Sequence, residues 1–264
     1  MKKFLLKILL GLLIFVVGIV AFEYWQLPEV AALNKKNPRD TAFMKIRDEE
    51  YREKGLKPVR RQTWVSYGAI SENLKRAVIL SEDAAFFSHG GVDLFELKEA
   101  IKKDWERRRF TRGASTITMQ LARNLYLSPV RSPFRKLREI MIAFRLERAL
   151  TKRRIFEIYL NVVEWGPGVY GAGAASHHYF SKPAAALSPL EAATLAALLP
   201  SPRKPSPRAT LRRRNIILQR MANTGSMSDE DFERARKVPL FGRLEVSEEP
   251  VSHSQASSSI EIAS

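Results

Sequence analysis

Apolar residues recur at helical spacing along most of the chain, and one such stretch ends in a carboxylate pair. Leu74, Val78 and Glu82 lie at positions i, i+4 and i+8 after Ser71, a residue type that often caps helix N-termini. The pattern predicts a helix with Glu82 on its own apolar stripe, near the negative end of the helix dipole. Burial and the dipole both disfavour the charged form of a carboxylate, which suits a general base. The ordinary alternative is a helix-terminal acid that faces solvent.

Helix starts recur after this stretch, whereas strand signals are scarce. Ser132 and Ser188 each precede a proline, and Ser188 with Glu191 has the spacing of a capping box. The aromatic and β-branched segment 62–69 predicts one isolated strand or extended segment. Glycines between 166 and 173 predict loops that either line a cleft or simply turn tightly. The fold class is therefore mainly α. The predicted helices span residues 71–82, 93–105, 115–127, 132–144, 151–161, 188–199 and a stretch that begins near 206.

Two of these helices are amphipathic. Helix 93–105 is apolar on one face and basic on the other, where Lys102 and Lys103 precede arginines at 107–109. That basic face is either simply solvated or holds anionic lipid headgroups. Helix 132–144 has one apolar face, made of Phe134, Leu137, Met141 and Phe144.

The N-terminus has the pattern of a membrane anchor. Residues 4–22 are apolar apart from Lys7, and as a helix they extend about 28 Å, close to the hydrocarbon thickness of a bilayer. Lysines at the start of the chain favour a cytoplasmic location for residues 1–3, with the remainder across the membrane. A cleaved signal peptide is the alternative. The long apolar run and an exit at 21–23 that lacks an A-x-A-like cleavage site favour an uncleaved anchor.

Beyond the anchor, the chain divides by composition. Residues 23–61 are charged, contain prolines and show little periodicity, which predicts a membrane-proximal linker with one short helix. Residues 62–240 carry the recurring helix signals and form the predicted main domain. Residues 241–264 are rich in Ser and Glu, which predicts a disordered tail.

The charge of the chain limits the kinds of partner that it is expected to bind. Lys and Arg number 44 against 28 acids, for a net charge of +16. Such a charge indicates an anionic partner, either nucleic acid, an anionic membrane surface or a phosphate-bearing substrate. The predicted outward orientation argues against nucleic acid. Cysteine is absent, which excludes disulfides and thiolate metal sites.

Five short stretches combine acids, bases and small polar residues in a fixed order. Each is weak evidence alone, whereas five in sequence form a strong signal. In the second stretch, Met119 precedes Gln120. The five stretches are EDAAFFSHGGVD at 82–93, GASTITMQ at 113–120, RKLRE at 135–139, KRRIFEIYLN at 152–161 and RRNIIL at 213–218.

In order and spacing these stretches resemble the motifs of the bacterial peptidoglycan glycosyltransferases of family 51. The resemblance covers residues 64–221. Within the family, the whole arrangement resembles the monofunctional biosynthetic enzymes. The family's second motif usually ends in two glutamines, so Met119 is a departure. Bifunctional relatives carry a long transpeptidase domain next, which a chain ending at residue 264 is not expected to contain.

The resemblance implies a lysozyme-like, α-helical glycosyltransferase domain that polymerises lipid II outside the bacterial cytoplasmic (inner) membrane, in the periplasm. The donor is a growing glycan on a polyprenyl diphosphate, and lipid II is the acceptor. Glu82 is then the base for a sugar hydroxyl, and a single displacement of the diphosphate gives an inverted, β-1,4-linked product. Nine Lys or Arg between Arg131 and Arg154 supply charge for the leaving group. Membrane lipids and other cell-wall synthesis or division proteins are the expected further partners.

Glu139 is the second expected catalytic carboxylate. The resemblance implies that it assists the leaving group directly or through a divalent cation, Mg²⁺ or Mn²⁺. A surface salt bridge with Arg135 and Lys136 is the alternative. No structural metal is assigned, because His177 and His178 are adjacent and no third ligand stands at a zinc spacing. The implied substrate-binding residues are Ser115, Thr118, Gln120, Arg123, Arg131, Arg138 and Asn161, and the supporting residues are Asp83, His89 and Lys136. For Asn161 and Asp83, the alternative to ordering the loop of the base is a purely structural role such as a cap or a turn.

Two other functions fit part of the pattern. A lysozyme-like lytic enzyme also depends on a glutamate, but it does not explain the arginines around Glu139. A basic membrane protein without enzymatic activity is the second alternative, with nucleic acid or division proteins as its ligands. The size of the products distinguishes a lytic enzyme from a polymerising one, and the orientation in the membrane tests whether the protein can bind nucleic acid.

Overall fold

The structure of the protein, a computed structural model, describes residues 2–95, 98–99, 102, 115–130 and 132–240. Arg131, the basic run at 107–109 and the tail at 241–264 lie outside the described residues. Helices dominate the described part, so the mainly α fold class is confirmed. The α-helices are α1 (Lys2–Trp25), α2 (Ala42–Glu53), α3 (Glu72–Glu82), α4 (Ile117–Tyr126), α5 (Pro133–Ala149), α6 (Lys152–Val162), α7 (Gly171–Phe180), α8 (Pro189–Leu198), α9 (Pro207–Asn223) and α10 (Asp229–Ala235).

Helix α1 contains the predicted anchor. Its segment Lys3–Trp25 is long and apolar enough to cross a bilayer, with a mean hydropathy of 2.9 over its most apolar window, and that window is not buried in the protein. A signal sequence meets the same criteria of length and composition. The helix fits a single-pass anchor.

The segment 23–61, expected to be a linker, is largely packed onto the main domain. Leu27, Val30 and Leu33 are buried in the core together with Met44 of α2. Prolines and charges obscured this packing in the sequence, because Leu27 and Val30 lie outside regular helices and Leu33 lies in a single short 3-10 helix, so the buried positions have no period to detect.

The site is positioned by two groups of helices. Helix α3 packs against α8 and α9, while α4 packs against α2, α5 and α6. Serine or threonine caps begin most of these helices, and Ser188 with Glu191 forms the predicted capping box at α8. One continuous apolar core joins the two groups.

A small sheet lies where loops were expected. The strands β1 (Arg61–Gln62), β2 (Glu164–Gly166) and β3 (Val169–Tyr170) have the order β1-β3-β2, with β1 parallel and β2 antiparallel to β3. Strands of two or three residues carry no readable alternation, so the sequence predicted only one isolated strand or extended segment, at 62–69, and no sheet. Gly171 then turns at φ +80, where a Cβ atom would lie 2.5 Å from the Asn161 carbonyl oxygen.

The apolar face predicted for helix α5 is exposed. Phe134, Leu137 and Phe144 face outward, whereas Ile142 and Leu146 are buried in the core. Met141, the fourth residue of the predicted face, is partly buried and packs against the core. The helix therefore has two apolar faces, and the predicted one is mostly the outer one.

Candidate active site

Glu82 is the last residue of α3. The Ser71 hydroxyl caps the start of this helix by accepting from the Leu74 amide at 3.1 Å, and Leu74 and Val78 are fully buried. This register leaves the Glu82 side chain 11% exposed. The carboxylate is thus mostly buried but still reaches the surface.

Three donors hold the Glu82 carboxylate. Its Oε2 accepts from Gln120 Nε2 at 3.0 Å, and its Oε1 accepts from Ser81 Oγ at 2.9 Å. Arg213 of α9 also donates to Oε1 and forms an ion pair. The sequence did not predict Arg213 as a site residue, although it belongs to the fifth motif. The motif shows a cation at this position, but it does not show which carboxylate the cation contacts.

Gln120 is oriented by a buried tyrosine. The Tyr159 hydroxyl donates to Gln120 Oε1 at 3.0 Å, so the amide NH₂ faces Glu82. Burial, followed by the nearby Glu82 carboxylate, raises the pKa of Tyr159 well above its ordinary value of 10. The phenol therefore stays a neutral donor and keeps the amide in this orientation.

Asp83 and His89 order the turn after α3. Asp83 Oδ2 accepts from the Ile117 amide at the start of α4 at 2.9 Å, and His89 Nε2 lies 2.9 Å from Asp83 Oδ1. The Gly91 amide donates to His89 Nδ1 at 3.3 Å, which leaves Nε2 as the ring nitrogen that faces Asp83. Thr116 Oγ1 closes the turn by donating to the Gly91 carbonyl at 2.6 Å. Asp83 and His89, two of the three predicted supporting residues, therefore hold backbone.

Glu139 is fully buried beneath two cations. Lys136 Nζ lies 2.7 Å from Glu139 Oε1, and Arg135 pairs with Oε2. The same ammonium donates to Ser115 Oγ at 2.6 Å. Burial excludes the surface salt bridge that the sequence left open for Glu139.

The residues at Glu139 do not fit a divalent cation. Both carboxylate oxygens are occupied by Arg135 and Lys136, and a dication prefers several open oxygen ligands. Within the described ranges, no three His, Asp or Glu residues come together as metal ligands. The adjacent positive charges oppose a metal ion at this place.

Hydrogen bonds connect the two carboxylates. Gln120 Nε2, which donates to Glu82, also lies 3.5 Å from the Ser115 carbonyl oxygen. Ser115 Oγ in turn accepts from Lys136, the partner of Glu139. The structure thus brings Glu82, Gln120, Ser115, Lys136 and Glu139 together in one site.

Thr118 does not face this site. It is fully buried and its hydroxyl donates to Glu147, whose Oε1 also pairs with Lys152 Nζ at 2.7 Å. The predicted substrate contact is therefore occupied by the protein. Glu147 lacked a signal in the sequence because it lies outside the five motifs.

The predicted arginines have separate surroundings. Arg138 Nε lies 3.1 Å from Glu23 Oε2 near the end of α1, without the alignment of a hydrogen bond. Arg123 is half-buried with its guanidinium 5.9 Å from the Phe43 ring centroid. Its buried Nε has no hydrogen-bond partner within the described part of the chain.

Comparison with known proteins identifies the family. A family model described as "Transglycosylase" matches residues 49–222, which is more than half of the chain. The chain belongs to the transglycosylase family. The match begins inside the segment 23–61, in keeping with the packing of that segment.

Several curated relatives of this transglycosylase are named biosynthetic peptidoglycan transglycosylase. The one from Nitrosospira multiformis is 45% identical over 72% of this chain and 83% of its own length. That of Cupriavidus metallidurans is 48% identical over 71% and 81%, and that of Chromobacterium violaceum 42% over 84% and 98%. Among solved structures, penicillin-binding protein 1A from Haemophilus influenzae matches with a TM-score of 0.40 and 21% identity, over 68% of this chain and 18% of that chain.

Met119 is a core residue in this transglycosylase. It is 1% exposed and packs with Val92 and Ala143, while Ile140 covers the group. The thioether therefore fills space beneath the turn that carries His89. It offers no polar contact to a substrate.

Asn161 is also internal, although it was predicted to bind substrate. Its Oδ1 accepts from the Val65 amide at 2.8 Å, and its Nδ2 donates to the carbonyl oxygens of Val65 and Glu157, both at 2.8 Å. All the polar atoms of the side chain are thus engaged with backbone. The residue joins the extended segment after β1 to α6.

Substituting Asn161 by Ala is expected to destabilise the fold. The change leaves a buried amide and carbonyl at Val65 unpaired, at a cost of about 2 to 4 kcal/mol. The melting temperature should fall by roughly 5 to 15 °C, while the folded fraction keeps its specific activity. Thermal unfolding and active-site-normalised turnover check this result. Loss of turnover at unchanged melting temperature would instead assign Asn161 to substrate.

Proposed function

We propose that the protein is a peptidoglycan glycosyltransferase that polymerises lipid II into β-1,4-linked glycan strands. The observation that carries this proposal is one partly exposed carboxylate, Glu82, joined through Ser115 to a cationic group around Glu139. A base and a site for a departing diphosphate are the two parts that the reaction requires. The curated relatives support the same activity by their names.

In the proposed reaction, Glu82 accepts the proton of the acceptor's sugar hydroxyl. The freed oxygen forms a bond to the anomeric carbon of the donor as the bond to the diphosphate breaks, and the electron pair leaves with the diphosphate. One displacement inverts an α-linked donor to a β-linked product. Gln120, Ser81 and Arg213 fix the carboxylate, whose four lone-pair positions leave room for one more donor.

Lys136 is the proposed contact for the departing diphosphate. Its ammonium is 37% exposed in the side chain and is held by Ser115 and Glu139. Preorganised charge of this kind stabilises a transition state in which negative charge accumulates on the leaving group. Glu139 then acts by positioning Lys136 and Arg135, and the step needs no divalent cation there.

The proposed location is the outer face of the bacterial cytoplasmic membrane. Helix α1 is long and apolar enough to span a bilayer, and the lysines at its start favour a cytoplasmic N-terminus. The exposed Phe134, Leu137 and Phe144 offer an apolar surface to a bilayer or to a polyprenyl chain. Lipid II, polyprenyl-diphosphate-linked glycan and membrane lipids are the proposed partners, and cell-wall synthesis or division proteins remain an expectation.

Turnover on purified, labelled lipid II tests this function. The full chain is expected to form long polymer that a muramidase cleaves at β-1,4 bonds. Preformed glycan strands should stay intact when incubated with the same preparation. Anhydro or reducing fragments released from those strands would support the lytic alternative and contradict polymerisation.

The anchor is expected to hold the domain in position at the membrane as well as to target the protein to the membrane. Arg145 donates to the carbonyl oxygens of Tyr24 and Leu27 at 3.0 and 2.9 Å, and Arg138 pairs with Glu23. Four Gly or Ser residues inserted after Trp25 should lower activity on vesicle-bound lipid II about tenfold, because the held geometry supplies effective concentration. Activity on detergent-dispersed substrate should change little.

The control places the same insertion beside Gly55, where the backbone is open to solvent. That variant should match the unmodified protein in both assays. Equal vesicle activity of the two insertion variants would contradict a positioning role for the docked anchor.

A further inference from the structure

A second concave surface lies on the part of the domain that follows the anchor. Its volume is about 690 Å³, within the range of small-molecule sites. Cations, amides and one indole ring form its walls. The lining residues are Lys36, Asn37, Pro38, Arg39, Gln62 and Trp64.

The walls of this cleft are fixed by the domain. Arg154 donates to Asn37 Oδ1 at 2.7 Å and lies 5.6 Å from the Trp64 ring centroid. Gln62 Nε2 donates to the Asn161 carbonyl oxygen at 2.9 Å. The amide and indole groups are therefore preorganised, which lowers the entropy that a ligand must overcome.

The cleft carries an excess of positive charge. Lys36 and Arg39 are exposed, and neither has a carboxylate at ion-pair distance within the described part of the chain. The adjacent Asp40 is engaged chiefly by Arg60, whose hydrogen bond lowers the pKa of that carboxyl, and the charge of Arg39 contributes less to the same shift. Two exposed cations beside an indole ring suit a ligand that combines carboxylates with sugar rings.

The cleft lies across α6 from the reacting carboxylate. The Tyr159 side chain of α6 contacts Gln120, the partner of Glu82, whereas the Asn161 side chain binds the Val65 backbone, next to Trp64 of the cleft wall. Residues two positions apart on a helix differ by about 200° in direction, so they point to opposite sides. A ligand in this cleft is therefore separate from the sugars that react.

We propose that this cleft binds the finished part of the glycan strand, with sugar rings against Trp64 and stem-peptide carboxylates on Lys36 and Arg39. The strand is then held between successive additions, which lengthens the product. This proposal rests on the polymerising function above. An anionic lipid headgroup would satisfy the two cations but would leave the indole ring of the cleft without a ligand contact.

The test uses a soluble disaccharide-pentapeptide, which lacks the lipid diphosphate and cannot act as a donor. Its affinity for the full chain is measured by titration calorimetry. The double variant Lys36→Gln, Arg39→Gln should bind at least about tenfold more weakly, because two charge-assisted contacts are lost. The matched control is Lys35→Gln, an exposed neighbour outside the cleft lining, which should stay within about twofold.

Product length provides the second readout. The double variant should make shorter strands from lipid II while its initial rate stays within about twofold, since neither residue touches Glu82 or Lys136. Unchanged fragment affinity or unchanged strand length would overturn the proposal. Reduced binding to vesicles of anionic phospholipid, with unchanged fragment affinity, would assign the cleft to headgroups and overturn it too. A wild-type chain that binds the fragment but forms no polymer would refute the polymerising function instead.

Discussion

Glu82→Gln is expected to lower polymerisation of lipid II by roughly 10² to 10⁴-fold, the usual effect of removing a general base. Glutamine preserves the size of the side chain and can still accept from Gln120 or Arg213, but it cannot take a proton from the acceptor hydroxyl. The ion pair with Arg213 is partly exposed, so its loss should cost about 1 kcal/mol or less. Initial rates and thermal unfolding, measured on the same preparation, separate the two effects.

Glu72→Gln is the matched control for this variant. Glu72 lies at the other end of α3, where its exposed side chain pairs with the buried Lys75. The substitution is chemically identical and should leave turnover of the folded protein within about twofold, since Glu72 is exposed to solvent and lies about three helical turns from Glu82. If Glu82→Gln kept more than a tenth of the wild-type rate, Glu82 would not be the base.

The contrast between these two glutamates shows what local sequence can predict. The register of α3 depends on Ser71, Leu74 and Val78, all within three turns of Glu82, so the position of Glu82 on the helix followed from spacing alone. Its partner Arg213 lies 131 residues further along the chain. No periodicity reports such a contact, because it depends on how α9 packs against α3.

Thr118 and Asn161 show where motif membership is insufficient. Both belong to stretches that carry the family resemblance, and both were predicted to contact substrate. In the structure both are fully buried and hydrogen-bonded within the protein, Thr118 to Glu147 and Asn161 to Val65. A short polar residue in a motif can therefore serve the scaffold, and only tertiary packing distinguishes the two roles.

Glu139, by contrast, is a motif residue that does lie in the candidate site. Its helix neighbours at i−4 and i−3 were visible in the sequence, but the same spacing also describes an ordinary surface ion pair. Burial of the carboxylate, set by the packing of α5 on α4, distinguishes them. An uncompensated charge at such a depth is unfavourable, which explains why two cations accompany it.

Lys136 and Arg138 allow the sharpest test of the diphosphate site, because they differ in surroundings but not in exposure. Both side chains lie on α5 and are 37% exposed. Lys136 is held between Ser115 and Glu139, whereas Arg138 pairs with Glu23 at the anchor. Lys136→Gln should lower turnover by about 10²-fold, the effect of losing one donor to a developing anion. Arg138→Gln should stay within about threefold on detergent-dispersed lipid II.

A second variant at position 136 checks that charge and geometry both matter. Lys136→Arg restores the positive charge, but a planar guanidinium cannot reproduce the contacts of a compact ammonium with Ser115 and Glu139. It should therefore recover only part of the lost rate, at a melting temperature close to that of the wild type. Equal losses in Lys136→Gln and Arg138→Gln would mean that the positive charge of α5 acts as a general attraction for anions. In that case no localised diphosphate site would exist at Lys136, and the proposed positioning role of Glu139 would be lost with it.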